Sequence, residues 1–178
     1  MAEEKQLTEN RHPSLMSKKA MEAASRTSTN SRPLVHELFT KINNAKDKVK
    51  KIAILRENDS QSLRQLCKAA FDPRIKFDLP AGDPPYMANE APIGTEHGLL
   101  RNEAKRLWHF VKGADANTTK TQKETMFIQM LEGLHQDEAK VLLGMKNKSL
   151  NKMYKGLTES MVKEAFGWDD KFVRPEQK

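Results

Sequence analysis

Three consecutive runs, MFIQMLEGL (Met126–Leu134), DEAKVLLGMKNKSLNKMYKGL (Asp137–Leu157) and TESMVKEAFGW (Thr158–Trp168), decide how this chain folds. In the first, Met126, Phe127, Met130, Leu131 and Leu134 recur at steps of one and three, the spacing that gathers side chains on one face of a helix. Such a face demands burial. Ala139, Leu142 and Leu143 mark a second helix after a turn at Leu134–Gln136, with Asp137 and Glu138 in its first turn, where the positive helix end favours acids. Thr158 reads as the N-cap of a third helix, and Leu157 and Val162 have the spacing of a hydrophobic staple. Met161, Val162, Ala165 and Phe166 supply its buried face.

Between Ala139 and Thr158 the chain contains no acid, yet Lys140, Lys146, Lys148, Lys152 and Lys155 alternate with Asn147, Ser149, Asn151 and Tyr154. Ammonium, amide and hydroxyl donors suit phosphate oxygens, while a solvated connection between packed helices has the same composition. Both readings stay open on this stretch alone. A second basic run lies far upstream, where Lys41, Lys46, Lys48, Lys50, Lys51 and Arg56 surround Val49, Ile52, Ala53 and Leu55. A surface assembled from both runs requires that the fold bring them together.

Working outward, Pro33 suits a first helical turn, and Leu34, Val35, Leu38, Phe39 and Ile42 continue as an amphipathic helix to about Asn44. Asn58-Asp59-Ser60 ends the basic helix and caps the next, whose buried stripe is Leu63, Leu66, Cys67, Ala70 and Phe71. Pro73 stops that helix. Ile75, Phe77 and Leu79 then alternate with polar residues, as in an extended connector with one buried edge. Residues 80–98 are rich in Pro and Gly and read as a long loop, either functional or a wrap over the core. Leu99, Leu100, Ala104, Leu107, Trp108 and Val111 predict one amphipathic helix, stopped by Gly113 in a left-handed conformation. Asp115, Asn117, Thr118 and Thr119 form the turn that follows.

The expected organisation is all-α: a flexible arm over 1–32, a compact bundle of six or seven short helices over 33–168, and a tail over 169–178. Of the 178 residues, 37% are hydrophobic and 31% charged, which leaves part of the length unpacked, and the net charge of +7 points toward a polyanionic partner. The single Cys67, among apolar neighbours, reads as a core residue and fits a reducing cytoplasm. No apolar run nears the roughly 18 residues of a membrane span, and no signal peptide is expected. Phosphate-cradling glycine loops and HExxH are absent, and His12, His36, His97, His109 and His135 show no spacing suited to a metal. Neither an enzyme nor a cofactor is expected.

FDPRIKF (71–77), EAKRLWHFVKG (103–113), FIQMLEGLHQDEAKVLLGMKNKSL (127–150) and KGLTESMVKEAF (155–166) resemble a family of uncharacterised proteins of T4-like tailed phages, especially cyanophages. The order of the pieces also resembles the helical N-terminal DNA-binding domain of ATP-dependent DNA ligases, with Gly156–Phe166 matching its late GLTxxxVxxAF-type element. That likeness implies a non-specific grip on duplex DNA, with Lys146, Lys148, Lys152, Lys155 and the Thr158 hydroxyl as phosphate contacts. The upstream face would add Lys46, Lys48, Lys50 and Lys51. The adenylation motif KxDG is missing, Lys112-Gly113-Ala114-Asp115 being a poor echo, so the resemblance implies a binding domain alone. The expected partners are duplex DNA and phage replication or virion proteins in the host cytoplasm or the virion. The alternative is a virion or protein–protein interaction protein without a nucleic-acid role.

Overall fold

A computed structural model describes residues 32–92 and 98–175. The helices are α1 (Val35–Asn44), α2 (Lys48–Glu57), α3 (Gln61–Phe71), α4 (Leu100–Glu103) running into a 3-10 helix (Ala104–Phe110), α5 (Lys120–Gly133), α6 (Gln136–Lys146), α7 (Leu150–Met153) and α8 (Glu159–Phe166). Among the described residues there is no strand, only isolated bridges. The all-α class and the helix order follow the periodicities. Apart from Arg32, the arm expected over 1–32 lies outside the described residues, as do 93–97 of the Pro-rich loop and 176–178 of the tail.

The apolar stripes converge on one core, in which Phe39, Phe110, Phe127 and Phe166 are fully buried. Helix α2 packs on α8 and α1, α3 on α6 and the 3-10 helix, and α5 on α6. Cys67 is part of this core, and burial pushes its thiol up to about 12, which suits packing and not nucleophilic attack. The caps fall where small polar residues precede the stripes: Ser60 accepts from Leu63 N–H, Thr158 from Met161 N–H, and Thr119 and Gln122 form a reciprocal box. Pro33 lies just before the N-cap Leu34, one residue short of the helix.

Glu138 does more than meet its own helix end. Its carboxylate is buried, with Oε1 accepting Val35 N–H at 2.9 Å and Oε2 accepting Leu100 N–H at 2.7 Å. Those amides open α1 and α4, so one side chain of α6 satisfies orphan donors of two other helices.

The segment expected to be one α-helix from Leu99 to Val111 has a single α-turn and continues as 3-10 helix. Its far end is tied to the extended connector: Asp78 N–H donates to Phe110 O at 2.6 Å, Lys112 N–H to Lys76 O at 2.8 Å, and Phe77 bridges Val111. The 3-10 form rises about 2.0 Å per residue against 1.5 Å for an α-helix, so it spans a longer gap with the same residues. Beyond it, Lys123 is buried and paired with Asp78 at 3.1 Å, which anchors α5 to the same connector.

At the end of α6, Lys148 N–H donates to Met145 O and Ser149 N–H to Gly144 O, a Schellman closure with Lys148 at φ 54°. That position usually holds glycine. The lysine's ammonium crosses to α3, where it donates to Ala69 O and, at 3.1 Å, to Asp72 O, and it lies 5.7 Å from the centre of the Phe77 ring. Burial drives its pKa down to about 8, with the Asp72 charge opposing. Residues 169–174, expected as part of a tail, lie against the core: Phe172 is buried, its ring centroid is 6.0 Å from that of Trp168 with the planes tilted by 54°, and Arg174 donates to Phe166 O.

Two stability outcomes follow from these contacts. Glu138→Gln sets an amide N–H₂ against a backbone donor and should cost about 2–4 kcal/mol in urea unfolding, with loss of hydrogen-exchange protection at Val35 and Leu100. Lys148→Ala loses the ammonium's bonds and keeps the left-handed backbone, whereas Lys148→Gly loses the same bonds and relieves it; the glycine variant should be the more stable by about 1 kcal/mol. Equal midpoints for the two would show that the backbone at 148 carries no strain.

Candidate nucleic-acid interface

The two lysine-rich runs meet at Gly156. Asn43, near the end of α1, accepts Gly156 N–H on its side-chain oxygen at 3.2 Å. Lys51, on α2, lies over the same glycine so closely that a Cβ there would fall 2.5 Å from its Nζ and 3.2 Å from Asn43 Cα. Glycine lets the α7–α8 turn dock on α1 and α2 without displacing the Lys51 ammonium or crowding Asn43 Cα. The turn places Lys155 immediately before the contact and Thr158 two residues after it, while Lys152 projects from α7 one turn earlier. Lys46 stands in the α1–α2 loop, a few residues from Asn43.

The nine predicted contact residues are not equivalent in this setting. Lys46, Lys152 and Lys155 are exposed and Lys51 is half-buried, and among the described residues none of them forms an ion pair. Lys48 is paired with Glu164 of α8 at 2.5 Å, and Lys50 with Asp47 at 3.3 Å. Both pairs are exposed, so water and salt weaken them and they yield readily to a stronger anion. Thr158 Oγ1 caps α8 and lies 3.3 Å from Ser160 Oγ, and Glu159 already supplies a negative charge to the first turn of that helix.

Lys146 and Lys148 are turned away from this role. Lys146 donates to Gly82 O at 2.6 Å, its neighbour Asn147 donates to Asp83 Oδ1 at 2.8 Å, and burial lowers the lysine's pKa. With Leu79, Pro84, Phe127 and Ile128, Lys146 walls a cleft under the Pro-rich loop. Lys148 is spent on the α3 carbonyls described above. Both were expected to meet phosphate; in the structure the Lys146 chain runs to the Pro-rich loop and the Lys148 chain to carbonyls at the end of α3. Arg56, from the upstream run, is likewise committed, donating to Ala165 O at 3.1 Å and Glu164 O at 3.2 Å at the end of α8.

Sequence reasoning missed Asn43, whose amide supplies the junction. The one signal for it was Gly156 itself, a glycine between a lysine and a cap residue where no turn type demanded it. Elsewhere, His109 Nδ1 lies 2.8 Å from Asp115 Oδ2, and Trp108 stacks on the same imidazole at 3.8 Å. His109, then Thr118 and the Asn117 and Thr118 amides, hold the Asp115 carboxyl well below the usual range. This pair is a clasp on the turn before α5, since the carboxylate's remaining bonds all go to that turn.

No helix among the described residues is long and apolar enough to cross a membrane. No curated protein and no solved structure matches the chain. Residues 38–152 match one family, from within α1 to within α7, so the matched stretch contains Asn43, Lys51, Glu138 and Lys148 but ends before Gly156. That match spans more than half of the sequence, and the chain belongs to DUF6433, a family of unknown function.

Proposed function

We propose that this protein is a non-enzymatic, phage-encoded DNA-binding protein that grips duplex backbone phosphates without sequence preference, beside the replication, repair or recombination machinery in the host cytoplasm. The observation that carries the reading is the docking of Gly156 on Asn43 and Lys51, which joins the α2 lysines to the α7–α8 turn. Lys46, Lys51, Lys152 and Lys155 are the phosphate contacts in this reading, with Thr158 and Asn43 as neutral donors beside them. Lys48 and Lys50 contribute after exchanging a carboxylate for a phosphate. The formal charge of +7 supplies the long-range attraction that brings a polyanion to this face. The surface holds point charges on flexible stems and no set of side chains arranged to read base edges, which suits backbone contact.

A gel-shift or anisotropy titration on the full chain tests this. With four lysines neutralising phosphates and Lys48 and Lys50 able to join them, log Kd for duplex DNA should change with log salt with a slope of about 4 to 5 in magnitude. Lys51→Glu with Lys155→Glu should weaken binding by at least about tenfold on every duplex sequence, while Lys105→Glu, on the 3-10 helix, should have little effect. Salt-insensitive binding, or no binding at low salt by a folded chain, removes the DNA reading and leaves the interaction-protein alternative. That alternative draws on Trp108, half exposed on the 3-10 helix, and on Met87, exposed on the Pro-rich loop.

A further inference from the structure

The 3-10 helix Ala104–Phe110 sorts its side chains into three straight strips, because at three residues per turn positions i and i+3 eclipse. Ala104, Leu107 and Phe110 form the buried strip. Lys105 and Trp108 share the second, both exposed, with Trp108 showing 49% of its area. Arg106, exposed, and His109, half-buried, share the third. Each outer strip therefore puts a cation one turn, about 6 Å of rise, before an aromatic ring.

The Trp108 ring is held in place. The His109 imidazole lies on it at 3.8 Å with the planes 29° apart, and Asp115 holds that imidazole at 2.8 Å. The Asp115 carboxylate is in turn fixed by the Thr118 hydroxyl and by the Asn117 and Thr118 amides. An exposed indole fixed in this way has already given up the side-chain freedom that a ligand would otherwise have to remove.

The charge around the ring is one-sided. Between Glu103 and Glu124 the only acid is Asp115, already engaged by His109, and Glu103 is paired with Arg106 at 2.9 Å. Lys105 and Lys112 are exposed, and among the described residues neither forms an ion pair. Lys76, also exposed, joins them from the extended connector: Lys112 N–H donates to Lys76 O at 2.8 Å, and the antiparallel bridge between Phe77 and Val111 sets the two lysines opposite each other. Like charges so placed repel, and Asp78, the nearest acid on the connector, is taken by Lys123 at 3.1 Å. The centre of a protein–protein interface is poor in lysine, whereas an open π face with cations around it matches a base between its phosphates.

We propose that this face binds an unpaired stretch of nucleic acid, with the Trp108 indole stacking on a base and Lys105, Lys112 and Lys76 meeting the flanking phosphates. The site shares no residue with the Gly156 junction and does not rest on the duplex reading.

The test is tryptophan fluorescence at low salt, titrating the full chain with short oligothymidylate and oligouridylate strands. A Lys51→Glu, Lys155→Glu background weakens the other cationic face. The expected result is saturable quenching of Trp108 emission, which Trp108→Ala removes while Trp168 emission stays constant. By anisotropy of labelled strands, Trp108→Ala should weaken single-strand binding by at least about fivefold. Lys105→Glu should weaken it too, and leave the duplex affinity of the parent chain as it was. Trp108 lies outside the core, so its replacement spares the fold. Quenching by one strand type alone supports the site and identifies the sugar it accepts. Quenching in a chain that binds no duplex would sink the duplex reading and leave this one standing. Quenching by neither strand, or equal affinities of Trp108→Ala and its parent, would overturn the proposal and leave Trp108 to a protein partner.

Discussion

A buried carboxylate between two helix starts is the constraint on which this bundle depends. Among the described residues Glu138 forms no ion pair; its carboxylate is met by the backbone donors and the positive ends of α1 and α4. A charge so placed is expensive to bury without partners, and its two short bonds offset that cost only when both helices stand in register. Hydrophobic stripes alone would let short helices slide along one another at little cost. The carboxylate removes that freedom for α1 and α4 at once, and α6, which carries it, packs on α3 and α5.

The same logic explains how the lysines are distributed. A helix that ends inside a bundle leaves carbonyls facing other elements, and long cationic side chains are the groups able to reach them. Lys148 serves α3, Arg56 serves α8 and Lys146 serves the Pro-rich loop. A charge run is therefore divided by local geometry into cations that hold the fold and cations that remain for solvent or a ligand. Of the second set, Lys51 lies against Gly156, next to Lys155, where the missing Cβ spares a tight contact with Asn43 Cα.

Periodicity made most of the helices legible, and Ser60, Thr119 and Thr158 marked their starts, because stripes and caps are local properties written within a few residues. Cys67 in the core and Gly113 in a left-handed turn were legible for the same reason. Leu100–Phe110 was not: its apolar spacing fits an α-helix, and the tie to Lys76 and Asp78 that stretches it comes from residues distant in sequence. Phe172 in the core was hidden too, since a single aromatic among charges has no period. Of the interface, composition identified the two runs, while the division between Lys148 and Lys155 required knowing which carbonyls lay within reach.

Helix α1 links the buried carboxylate to the cationic face. At its first turn Val35 is held by Glu138 and His36 stands against His135, and near its last turn Asn43 carries the docked Gly156. The helix has ten residues, about 15 Å of rise. A rod this short does not bend to accommodate a shift at one end. The position of its first turn therefore sets where Asn43 meets the α7–α8 turn, and with it how closely Lys51 and Lys155 approach. The carboxylate that fixes α1 against α6 therefore also fixes the spacing of the cationic face.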